Sequence, residues 1–134
     1  MSTLIEIEEP KIKEQEKVVY NPDVKHSPTA SPKHKIMRIE LEDDLTRIDF
    51  VYNSGKFAWV QIDPASFIRP VNTGSHLTLV RACGIPYAPQ KHFFRSRNET
   101  LYYTLYFPAL PKDVTEIDII EKEAPGKAAS LAFF

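Results

Sequence analysis

Four histidines (His26, His34, His76 and His92), one cysteine (Cys83) and the close acid pairs Asp43/Asp44 and Asp113/Glu116 are the residues best equipped for metal or covalent chemistry. The histidines are scattered, and no two have the close helical spacing that sets two imidazoles on one face around a metal. Cys83 with a distant histidine is a nucleophile and base on paper. Its run "LTLVRACGI" nevertheless reads as a strand, where a lone thiol is usually a small buried hydrophobe. A single cysteine also excludes an intramolecular disulfide and a cysteine-rich zinc site within one chain. The acid pairs fall in turns, where Asp serves the backbone rather than proton transfer. The expectation is a noncatalytic protein with no metal and no cofactor.

Two groupings suit recognition instead. Phe57, Trp59, Tyr102 and Tyr106, with Thr104 between the tyrosines, form an aromatic platform if their strands share a sheet. Such a face takes sugars, peptides or a protein partner, because aromatic rings bury much area at small entropic cost. The competing reading puts these rings in the core. The run "KHFFRSRN" interleaves Lys91, His92, Arg95 and Arg97 with Phe93 and Phe94, and no acid follows until Glu99. Basic residues among aromatics can grip phosphate or stacked bases; the bland alternative is a solvated loop pinned by two buried phenylalanines. The formal net charge of -1 supplies no field for nucleic acid or an acidic membrane, so nucleic acid is not an expected partner. "HSPTASPK" sets Ser27 and Ser31 before prolines and reads as a flexible loop. "NET" at Asn98 is a glycosylation acceptor by pattern, relevant only in a secretory pathway that uses the signal.

These groups must be positioned by strands. The chain has 134 residues, 43% of them hydrophobic, enough for one core without disulfides. Prolines number 11 and glycines 4, no long window has helical spacing, and short alternating runs recur between turn residues. "IMRIELE" sets Met37, Ile39 and Leu41 on one face. "TRIDFVY" follows across the acidic turn "EDD" as a hairpin partner, with Ile48, Phe50 and Tyr52 alternating. "FAWVQID" has two faces, either of which suits the interior. "HLTLVRACGI" reads as one strand with Leu77 and Leu79 opposed to Val80 and Ala82. "LYYTLYFPALPKDVTEIDIIE" sets Leu101, Tyr103, Leu105 and Phe107 inward, turns at its prolines, and resumes with Ile117 and Ile119 inward. Residues 21–35 and the run "PYAPQKHFFRSRNE" read as long loops.

Seven to nine short strands at this spacing predict an all-β, immunoglobulin-like Greek-key sandwich, with a closed barrel joining first and last strands as the alternative. Residues 1–16 read as a weakly ordered segment or, through "LIEI", an edge strand, and 17–134 as the sandwich domain. The last run, "SLAFF", reads as an exposed edge open to strand addition, including by a second copy of the chain. No run approaches the roughly 18 apolar residues of a membrane helix, and the opening residues lack the pattern of a signal peptide.

"FAWVQIDPASFI", "LTLVRACGIPYAP" and "LYYTLYFPALPKDVTEIDIIE" together resemble the accessory immunoglobulin-like β-sandwich domains of exported proteins in gut and oral Gram-negative bacteria. The resemblance spans roughly 36–121, and its most specific part is the phrase Phe-Pro-x-Leu-Pro-Lys-Asp at 107–113. It implies a companion of thioredoxin-like or protease domains, working in the periplasm or cell envelope if a leader has been removed and otherwise in the cytoplasm. It implies no catalytic residues. The expected function is protein interaction or domain organisation, with carbohydrate or small-ligand binding by the aromatic face as the alternative.

Overall fold

The computed structural model describes residues 17–22, 24–26, 34–53, 59–71, 75–96, 98–122 and 128–133. Among them there is no helix. The strands are β1 (Lys17–Tyr20), β2 (Val24–His26), β3 (His34–Leu41), β4 (Leu45–Asn53), β5 (Trp59–Val60), β6 (Phe67–Pro70), β7 (Leu77–Thr78), β8 (Arg81–Cys83), β9 (His92–Phe93), β10 (Thr100–Pro108), β11 (Ile117–Lys122) and β12 (Ala128–Phe133). One five-stranded sheet runs β1-β3-β4-β10-β8, a second runs β2-β12-β11-β6-β7, and β5 and β9 form a two-stranded ribbon.

Period-two alternation decides which residues build the core. In β4, Ile48, Phe50 and Tyr52 are at most 2% exposed, while Arg47, Asp49 and Val51 between them are half-buried on the other face. β10 pairs with β4 along its whole length and turns Tyr103, Leu105 and Phe107 to the same side. Tyr103 lies opposite Phe50, their rings stacked with centroids 4.8 Å apart. Ile68, Ile117 and Ile119 of the second sheet join the same hydrophobic cluster. The two sheets thus share one core in a sandwich-like arrangement, and among the described residues neither closes into a barrel.

The proline corner after β10 is held by one hydroxyl. Thr46, fully buried, donates to the Pro108 carbonyl at 3.0 Å and accepts from the Leu110 amide at 3.1 Å, bridging the chain on both sides of Ala109 where the prolines cannot supply ladder amides. "LYYTLYFPALPKDVTEIDIIE" is therefore first of all a wall, one strand in each sheet joined by that corner.

Several expectations need correction. Met37 does not face the core. A bulge between Ile36 and Arg38 adds one residue to β3, so Ile36 is 2% exposed and Met37 38%. "HLTLVRACGI" is not one strand: the Leu79 amide bonds the Ser66 carbonyl, and the next amide, Val80, bonds the Tyr106 carbonyl, carrying the chain from the second sheet to the first. β12 is no edge, because β2 pairs along its outer side. The two long loops contain β2 and β9, pieces of three and two residues that are too short to leave a periodic signature. Such pieces take the described strands past the expected seven to nine. Residues 1–16, Ser27 and Ser31 lie outside the described residues.

Candidate interaction face

The ribbon is built by cross-strand pairing of Trp59 with Phe93 and of Val60 with His92. Partners directly opposite project to the same side. Val60 is 8% exposed and faces the core, whereas Trp59 is 40% and Phe93 65% exposed. The inner side is anchored stepwise: the His92 ring meets Phe94 edge-on at 5.1 Å, and Phe94 stacks at 5.5 Å on Tyr52 of β4. Next along the chain, buried Ile62 takes part in a parallel bridge with Tyr87, through Ile62 N–H to the Pro86 carbonyl at 3.0 Å and Ala88 N–H to the Ile62 carbonyl at 2.8 Å. The Tyr87 hydroxyl accepts from the Ala82 amide at 2.7 Å, tying this loop to β8. Gly84 completes the turn at φ +85, where a Cβ would stand 2.7 Å from the Tyr102 carbonyl oxygen. Only glycine fits so close to β10 in that conformation.

The electrostatics of the ribbon are local. The Lys91 ammonium sits 4.3 Å from the Trp59 ring centroid, a cation over the ring face. His92 Nε2 and Glu99 Oε2 are 2.8 Å apart. That hydrogen bond is the largest cause holding the Glu99 carboxyl below its ordinary range, with a backbone bond from Arg95 and the charges of His92 and Arg95 adding to it. The acid that ends the basic run therefore folds back onto it. Lys91 covers an indole, His92 faces Glu99, Arg95 is exposed, and Arg97 lies outside the described residues, so the expected anion grip is partly neutralised from within.

The proposed aromatic platform is also divided. Trp59 belongs to the ribbon and Tyr102 and Tyr106 to the first sheet, while Phe57 lies outside the described residues. Tyr102 is 64% exposed, but Tyr106 is half-buried beneath the Arg81 guanidinium, 4.7 Å from its ring centroid. Register partners set Tyr20, Arg38, Asp49, Thr104 and Cys83 in one row across this outer face. Asp49 accepts from Thr104 Oγ1 at 2.6 Å and Arg47 Nε at 3.1 Å, with Arg38 at 3.5 Å, so the centre of the face is an ion-pair network. Cys83 is exposed here, contrary to the buried thiol expected, because β8 is an edge strand with its side chain on the outer face. Among the described residues no cluster of His, Cys, Asp and Glu is arranged to hold a metal, and no helix is long and apolar enough to cross a membrane.

In the sequence Phe93 stands only among the aromatics of the basic run, as a stacking ring or a buried pin, and nothing there pairs it with Trp59 in an exposed face. Part of the signal was present: in extended chain, consecutive side chains point oppositely, so only one of Phe93 and Phe94 can face the core. Compared with known proteins, the chain matches no family model, no curated protein and no solved structure.

Proposed function

We propose that this chain is a noncatalytic, immunoglobulin-like β-sandwich module that docks another protein or a neighbouring domain through the Trp59–Phe93 face, working outside the cytoplasm. The observation that carries the docking face is the side-by-side exposure of two large aromatics, at 40% and 65%, on a ribbon braced against the core through Phe94 and Tyr52. Preorganised aromatic pairs bury area at small entropic cost and are the usual anchors of protein interfaces. Two open antiparallel sheets over one core, with the chain switching sheets at 79–80, support the immunoglobulin-like reading. The bond from Tyr87 back to an amide five residues earlier resembles the tyrosine corner of such domains. Export rests on the sequence resemblance.

Carbohydrate binding is the weaker reading, because a cation lies over Trp59 and another over Tyr106, each covering a face on which a sugar would stack. A photo-crosslinking amino acid in place of Phe93, expressed in the source cells, tests the proposal. We expect a discrete protein adduct that disappears in a folded Trp59→Ala variant. No adduct, combined with saturable glycan binding by the unmodified protein, would sink it.

A further inference from the structure

We infer that two copies of this chain associate edge to edge through β1, antiparallel about a two-fold axis at Val19, continuing the first sheet from one molecule into the other. This surface is separate from the aromatic ribbon. Among the described residues, β1 has β3 on one side and no strand on the other. Val19 pairs with Ile39 and Tyr20 with Arg38, and the Asn21 amide donates to the Met37 carbonyl at 2.8 Å. Backbone direction alternates along an antiparallel ladder, so Lys17, Val19 and Asn21 direct their amides toward β3. The N–H and C=O of Val18 and Tyr20 then point away from β3. Outward groups that no described residue pairs can template a new strand.

The edge fits itself. Pairing that uses those outward groups sets Val18 of one copy against Tyr20 of the other, twice, and Val19 against Val19 on the axis. Lys17 then meets Asn21, so no like charges oppose. Tyr20, 69% exposed on the outer face, gains an apolar cover in Val18 of the second copy. On the inner face, Val19 lines an apolar cleft of about 190 Å³ with Ile39, Leu41, Leu110 and Ile117. A second Val19 on the axis extends that apolar wall. The opposite edge of the sheet, β8, carries the Arg81 guanidinium and offers no comparable apolar match. The contact is short, well below the roughly 1,000 Å² of a stable interface, so the dimer is a weak one that forms at high protein concentration.

Sedimentation equilibrium of the full chain from micromolar to millimolar concentration tests this. We expect a monomer–dimer equilibrium that Val18→Pro weakens about tenfold or more, since proline removes an outward amide without touching the β1–β3 ladder. Val19→Lys and Val19→Glu should each be monomeric and should dimerise when mixed, because charges that repel across the axis then attract. Hydrogen exchange of the Val18 and Tyr20 amides should slow as concentration rises, a readout that stands even if the proline variant fails to fold. A monomer at every concentration overturns the proposal and leaves the edge to another protein. A dimer indifferent to Val18→Pro overturns it in favour of a different surface. Amides protected equally at all concentrations overturn it in favour of a cover from the chain itself, such as residues 1–16.

Discussion

Phe93 and Phe94 are chemically identical neighbours with opposite tasks. Phe94 stacks on buried Tyr52, whereas Phe93 is 65% exposed beside Trp59. Phe94→Ala removes packing and should lower stability by about 2 kcal/mol. Phe93→Ser should change it by less than about 0.5 kcal/mol, as for an exposed side chain. Urea titrations of the two variants check this, and a Phe93→Ser variant that loses as much stability as Phe94→Ala would show that Phe93 is structural. Trp59 is the only tryptophan in the chain, so its fluorescence reports on this ribbon alone. The sequence made the paired phenylalanines visible, but which of them turned outward depended on the register of a two-residue strand against β5.

Elements of two and nine residues are held by different means. β4 and β10 hold themselves by alternation, while β9 depends on its flanks, including the His92–Glu99 contact at 2.8 Å. Glu99 titrates below the ordinary carboxyl value of 4.5 in the folded protein, so its contribution is fully present above that value. It is lost as pH falls through the lowered, folded-state pKa. Acidification below about pH 4.5 should therefore shift Trp59 emission before global unfolding, and Glu99→Gln should remove that step. Coincident shifts in the variant and the parent protein would contradict the assignment. The bulge in β3 gives a second test. Deleting Met37 leaves Ile36 and Arg38 in regular alternation, so the protein should still fold, whereas deleting Val51 from regular β4 should reverse the faces of the residues beyond it and unfold the chain. Circular dichroism of the two deletions decides the point. Nothing in "IMRIELE" announced the bulge, because Ile36 and Met37 are equally apolar and only the pairing with β4 selects between them.

At the scale of the whole molecule, both sheets draw on one hydrophobic cluster. Tyr103→Ala in the first sheet and Ile119→Ala in the second should each cost about 3–5 and 2–5 kcal/mol, respectively, and lower the midpoint of one shared transition. Two resolved transitions in circular dichroism or calorimetry would show that the sheets unfold apart. The all-β class, the β3–β4 hairpin, the inward faces of β4, β10 and β11 and the proline corner were legible from sequence, since alternation and missing amides act over a few residues. The division of "HLTLVRACGI" between sheets was not, because the amides of Leu79 and Val80 choose acceptors, Ser66 and Tyr106, that lie far apart in the chain. The same holds for the aromatic platform. Trp59, Tyr102 and Tyr106 were picked out by residue type, yet long-range pairing put Trp59 beside Phe93 and a cation over Tyr106. The sequence by itself determined which residues can be buried and where the chain must turn, as these follow from local periodicity and backbone chemistry. The tertiary structure alone decided which strands are edges and which aromatics face outward, because both depend on contacts between segments whose separation leaves no local trace.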